Sequence, residues 1–220
     1  MSQRSALANP HYRLYFIASA FATLAVWMTR FMFGWLVWEN TESFLWVGVA
    51  SASILFPSLL ITPVFGVISD RINLKVGVIC WLACQALVTL STLLVFQWLG
   101  QPLFLLLLMT FLFGCVAAAG SPLRLTLIPK LVTQQELPNA VGWGAMLFNS
   151  SRIVAPAMAA WCLTVIPPQW VFILCTMAFA IAGVINLGLP DVQGIVNKTN
   201  SSGWQDFVAG IRYCWSTPMI

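Results

Sequence analysis

The chain has 220 residues, 60% hydrophobic and only 7% charged, where an ordinary soluble domain carries about a quarter charged residues; bulk water is excluded as its main solvent. Its formal charge of +4 comes from basic residues scattered singly, with no Lys/Arg block, and this excludes a nucleic-acid partner. Apolar runs of about 20 residues recur along the chain, the length an α-helix needs to cross roughly 30 Å of hydrocarbon, so the sequence specifies an all-α protein whose first partner is the lipid bilayer.

The first predicted helix, Leu14 to Trp38, follows Arg4 and Arg13. Within it "ASAFA" at 18–22 mimics a signal-peptidase site, but the apolar run continues to Trp38, which makes this a retained helix. After the acidic turn "ENTES", helix two spans Phe44 to Ser69 and helix three Leu74 to Trp98. "LGQP" breaks the chain, and helix four runs from Leu103 to Leu123. The polar stretch "RLTLIPKLVTQQELPN" then reads as a loop leading to helix five, Ala140 to Ile166, and "PPQ" at 167–169 leads into helix six, Trp170 to Leu189. Residues 1–190 thus form a six-helix transmembrane bundle. Beyond it, "DVQGIVNKTNSSG" reads as a linker, and "WQDFVAGIRYCW" as an amphipathic helix on the membrane surface. The chain then stops at "STPMI" as though cut short before a seventh helix.

Charge placement fixes an expected orientation. Arg4 and Arg13 precede helix one, Arg71 and Lys75 lie in the second loop, Arg124 and Lys130 in the fourth, and Lys198 and Arg212 follow helix six, while the odd loops carry no Lys or Arg. Basic residues accumulate in short cytoplasmic loops, so both ends of the bundle are expected in the cytoplasm. The sequons at Asn197 and Asn200 would then carry no glycan. Six cysteines, Cys80, Cys84, Cys115, Cys162, Cys175 and Cys214, read as small hydrophobes. Cys80 and Cys84 share a helix face, but no His or carboxylate stands near them in sequence to complete a metal site.

"FGVISDRINLK", residues 65–75, interrupts two apolar runs with Asp70, Arg71 and Lys75. A tight cytoplasmic turn needs a small residue where its helices approach, Gly66, and polar groups for the exposed helix ends; Asp70 is expected to favour a helix N-terminus by its charge. That much suits any turn. The spacing of Gly66, Asp70, Arg71 and Lys75 also resembles the signature between the second and third helices of the major facilitator superfamily. Asn73 stands where the family has its second glycine, and Asn tolerates the left-handed backbone better than most residues. The resemblance implies a cytoplasmic gate built on Gly66, Asp70, Arg71 and Lys75, with Arg124 as a local partner.

Two longer stretches resemble one branch of that superfamily, the secretion-effector branch that includes enterobactin exporters: "WMTRFMFGWLVW" at 27–38 and "SPLRLTLIPKLVTQQELPNAVGWGAMLFNSSRIVAPAMAA" at 121–160. Helix five is also similar to the glycine signature of superfamily antiporters. Its places hold Gly142, Ser151, Ala155, Pro156, Ala159 and Ala160 here, mostly small residues that permit close helix packing. Packing alone is the equal alternative.

Arg30 and Arg152 lie inside apolar spans, where a charge costs at least about 2.5 kcal/mol. Arg30 could instead snorkel toward the interface near Trp38. The six acidic residues, Glu39, Glu42, Asp70, Glu136, Asp191 and Asp206, all fall in loops or at helix ends. Compensation must therefore come from backbone carbonyls, a carboxylate of another half, or an anionic substrate. The favoured reading is a hydrated cavity in which Arg152 and Arg30 attract a negatively charged solute; a structural role is the alternative. Asn149 precedes Arg152 and Trp27 precedes Arg30 by about one turn, so each pair shares a face.

His11 is isolated near the N-terminus, and no phosphate loop, Ser/His/Asp set or metal constellation occurs in the sequence. No enzyme activity, cofactor or metal is expected. The resemblance implies the N-terminal bundle of a major facilitator fold with three-helix inverted repeats, in a bacterial inner membrane. Its partners would be a small-molecule substrate and a second six-helix half, or a second copy of the chain. The activity implied is proton-coupled efflux of an amphipathic or anionic small molecule, with the coupling acid in the other half. Lysophospholipid flipping, a non-transporting scaffold and an inactive fragment are the alternatives.

Overall fold

The structure, a computed structural model, describes residues 5–99 and 102–192. The linker beyond Val192, the stretch expected to form an amphipathic surface helix and both sequons lie outside the described residues. After a short 3-10 turn, Ala6–Ala8, six helices follow: α1 Pro10–Thr41, α2 Phe44–Ser69, α3 Leu74–Trp98, α4 Leu103–Leu131, α5 Leu137–Val165 and α6 Pro168–Leu187. No strand occurs among the described residues. Five of these helices are long and apolar enough to cross a membrane. The exception is α5, whose middle carries Asn149, Ser150, Ser151 and Arg152.

Local chemistry sets most boundaries. Asn9 accepts from the backbone N–H groups of His11 (3.0 Å) and Tyr12 (3.4 Å), and Pro10 follows at the first helical position, so α1 starts four residues before the expected Leu14. Glu42, in the left-handed region at φ 47, ends it. Asn73 caps α3 by accepting from Lys75 N (3.0 Å) and Val76 N (3.3 Å). Its backbone is extended, φ −67 and ψ 114, so the expected left-handed turn is not formed there. Asp70 caps the C-terminal end of α2 rather than a helix N-terminus.

The largest correction concerns α4, which continues through Arg124 to Leu131 where the sequence reading placed a loop. Leu123, Leu127 and Leu131 are buried at four-residue spacing, and burying this stripe holds the helix together despite Pro129. Only Val132 to Glu136 remain as a connection, closed by a bond from Thr133 N to Glu136 Oε2 (3.1 Å).

Packing pairs helices that are distant in sequence. The α2 helix lies mainly on α4, α5 mainly on α1, and α3 on α6; α1 also meets α6, and α3 meets α4. Exchanging α1 with α4, α2 with α5 and α3 with α6 maps this set of neighbours onto itself, the pattern expected of two interleaved three-helix repeats. Phe33 of α1 anchors the centre, with Phe113 of α4 at 5.5 Å and Phe172 of α6 at 6.0 Å. Gly114 brings α4 against the α2 backbone: a Cβ there would meet the Ile54 carbonyl oxygen at 2.6 Å.

One end of the bundle is stitched by polar contacts. The Asn9 side-chain amide donates to Leu131 O (2.9 Å), Ala6 N to Asn139 Oδ1 (2.9 Å) and Tyr12 OH to Ala140 O (2.7 Å). Leu74 N donates to Val192 O (2.8 Å), and Lys75 Nζ lies 3.6 Å from Asp191 Oδ1. The start of α1, the α2–α3 turn, the α4–α5 connection and the end of α6 therefore share this end, as the distribution of basic residues requires. The flanks of the bundle are apolar and open, with Leu59 of α2 73% and Ile153 of α5 76% exposed. In a bilayer such surfaces meet lipid tails or another apolar helical surface, so their exposure carries no hydrophobic penalty.

Candidate functional site

The two intramembrane arginines converge on one indole. Arg30, one turn beyond Trp27 on α1, places its guanidinium carbon 5.0 Å from the Trp27 ring centroid, and Arg152 of α5 lies 5.6 Å from the same ring. Trp27 stands 17 residues beyond Pro10, about 25 Å into the helix at 1.5 Å per residue. The negative faces of an indole attract cations, most strongly where water is thin, so Trp27 provides compensation that no carboxylate in the described spans supplies. It does so incompletely: Trp27 Nε1 and Arg30 Nε are buried without a hydrogen-bond partner. Arg152 is exposed.

Small residues make this meeting possible. Ser151, Ala155 and Ala159 are buried along one face of α5, which packs chiefly on α1, and the next residue after Ser151 is Arg152. The remaining places of the antiporter-like signature point elsewhere: Pro156 is half-buried, Gly142 and Ala160 are exposed, and a Cβ at Gly142 would meet nothing within 4 Å. Asn149 is exposed and turns its amide back onto Ala145 O (2.8 Å). Its neighbour Phe148 packs edge-on against Trp27, with centroids 5.6 Å apart.

Phe148 also walls a cleft of ≈ 290 Å³ among α1, α4 and α5, lined by Tyr12, Tyr15, Phe16, Thr23 and Arg124 among others. Sequence reasoning assigned Arg124 to a loop beside Asp70. The structure instead turns it into the bundle, where Nε donates to Gly120 O (3.3 Å), Nη1 donates to Thr23 Oγ1 (3.5 Å) and the guanidinium lies 5.9 Å from the Trp81 ring. Asp70 is not among its partners. The buried leucine spacing of α4 was the signal that would have placed Arg124 on a helix.

The turn residues expected to form the gate lie at the stitched end of the bundle. Gly66 has nothing within 4 Å of an added Cβ, so no helix of this bundle approaches it closely. Asp70 and Arg71 are exposed, and Lys75 pairs with Asp191 from the end of α6. A second cleft of ≈ 650 Å³, with mostly apolar walls, lies among α2, α3 and α4, with Cys80, Cys84 and Cys115 on its walls. No group of three His, Cys, Asp or Glu suited to a metal occurs among the described residues.

An apolar bundle of interleaved repeats, with Arg30 and Arg152 held against one indole within the helical spans, defines a multi-pass membrane protein. The chain belongs to the Major Facilitator Superfamily, whose family model matches residues 15–220. It is 24% identical over 177 residues to the Staphyloferrin A transporter of Staphylococcus aureus (strain NCTC 8325 / PS 47), a match covering 80% of this chain and 45% of that protein. The chain thus spans under half the length of that curated relative.

Proposed function

We propose that this bundle is the N-terminal half of a secondary active transporter that moves an anionic, amphipathic small molecule across the membrane by alternating access. The carrying observation is the shared Trp27 ring, which holds Arg30 of α1 and Arg152 of α5 at 5.0 and 5.6 Å in a bundle whose described acidic residues all sit at helix ends or in loops. Two cations at this depth need an anion, and a solute supplies one reversibly. Family membership supports transport, and the relative's name supports a siderophore-like solute. The secretion-effector-like stretches at 27–38 and 121–160 favour the efflux direction. Coupling to protons would use an acid outside this bundle, since the described acids sit at helix ends or in loops.

The exposed apolar faces of α2 and α5, including Leu59 and Ile153, would meet a second six-helix half or a second copy. The end carrying Arg13, Arg71, Lys75 and Lys130 would face the cytoplasm of a bacterial inner membrane. The test is movement of radiolabelled staphyloferrin A in membrane vesicles containing the protein. Arg152→Ala is expected to abolish movement while membrane insertion stays normal; unchanged movement would refute the anion cavity.

A further inference from the structure

We infer that the cleft around Arg124 is a separate docking site for the carboxylate of an aromatic or amphipathic anion, one stage nearer the stitched end of the bundle than the Trp27 cluster. This rests on reading the α1/α4/α5 interior as a solute path. Three observations carry it. First, the cleft is a cavity of ≈ 290 Å³ whose walls are largely apolar and include four aromatic rings, Tyr12, Tyr15, Phe16 and Phe148, with Arg124 as its one charged side chain. Ring faces and a single cation suit a planar, singly charged head better than a polar sugar or a cation.

Second, the Arg124 guanidinium is under-used. Of the five N–H groups an arginine offers, two donate, to Gly120 O at 3.3 Å and Thr23 Oγ1 at 3.5 Å, both at the long end of the hydrogen-bond range. Nη2 makes neither of these bonds, so the two bonds leave the Nη1/Nη2 end of the guanidinium for bidentate carboxylate binding. Trp81, 5.9 Å away, and the Gly120 carbonyl hold the guanidinium's position without neutralising it. Third, the cleft adjoins the deeper cluster: Phe148 lines it and also packs on Trp27, whose ring both other arginines share. An anion leaving Arg124 therefore meets an aromatic wall that ends at two further cations.

The experiment is photolabelling of the purified protein in phosphatidylcholine nanodiscs with 4-azidobenzoate, mapped by peptide mass spectrometry. Label is expected on cleft residues such as Tyr12 and Phe148, displaced by benzoate and not by the neutral isostere benzamide. Arg124→Gln is expected to weaken half-maximal labelling by about tenfold or more, the value of a charge-assisted bidentate contact. Arg124→Lys, which keeps the charge and loses the fork, should retain labelling at intermediate affinity, and Arg13→Gln, which removes a charge from the same end outside the cleft, should change nothing. Equal displacement by benzamide, or labelling indifferent to Arg124→Gln, would overturn the site. Loss of labelling when phosphatidylglycerol is added would assign the cleft to lipid headgroups and also overturn it. The two readings fail separately. Arg124-dependent labelling with transport unaffected by Arg152→Ala would leave this site standing without the path. Arg124-independent labelling with transport abolished would do the reverse.

Discussion

Gly114→Ala tests how tightly the two repeats are interlocked. An added Cβ would lie 2.6 Å from the Ile54 carbonyl oxygen and 2.8 Å from its Cα, where ordinary contact begins at 3.4 Å. The obstacle is backbone, so no rotamer change relieves it; α2 must move away from α4 by most of an ångström along its principal contact. Overpacking of this kind costs about 1–3 kcal/mol. Replacing Gly by Ala also gains up to about 1 kcal/mol of helix propensity, and Gly142→Ala on α5, with nothing within 4 Å, isolates that gain. The difference between the variants cancels propensity and is expected to be about 1–3 kcal/mol against Gly114→Ala. Unfolding by SDS titration in mixed micelles, followed by tryptophan fluorescence, measures it. Coincident transitions for the two variants would refute the close approach of α2 and α4.

Four further outcomes follow from the same contacts. A double-mutant cycle between Trp27→Leu and Arg152→Gln is expected to give a coupling of about 0.5–2 kcal/mol, and a coupling of zero would deny the shared indole. Asn73→Ala should lower unfolding stability by about 1 kcal/mol, whereas Asn73→Gly should lower it by only a few tenths; equal losses would argue against a capping role. Tyr12→Phe removes the 2.7 Å bond to Ala140 O and is expected to cost about 0.5–1.5 kcal/mol in the same titration. The Lys75 and Asp191 side chains are 20% and 75% exposed, so their coupling should stay under about 1 kcal/mol and decline as salt is added.

The bundle was legible because lipid demands apolar runs of fixed length: α2 and α3 begin and end at the residues read from the sequence. The end of α4 was obscured because Arg124, Pro129 and Lys130 are the residues that usually mark a loop, while the competing leucine stripe needs a helical period to become visible. The turn at 70–73 was placed correctly and its backbone was not, since a capping Asn and a left-handed Asn are indistinguishable by residue type. That Arg30 and Arg152 demanded compensation followed from their places within apolar runs. That one tryptophan serves both depends on the register between α1 and α5, and no periodicity along a single chain encodes it.

The crossed pairing of the two repeats bears on how the protein is made. As α2 emerges from the translocon, its principal neighbour α4 has not yet been synthesised, and α1 must likewise wait for α5. The first three helices are thus held in an unfinished arrangement during synthesis, with Gly114 completing the seat for Ile54 only after the fourth span has been released. A lipid-embedded quality-control protease would find its widest opportunity in that interval.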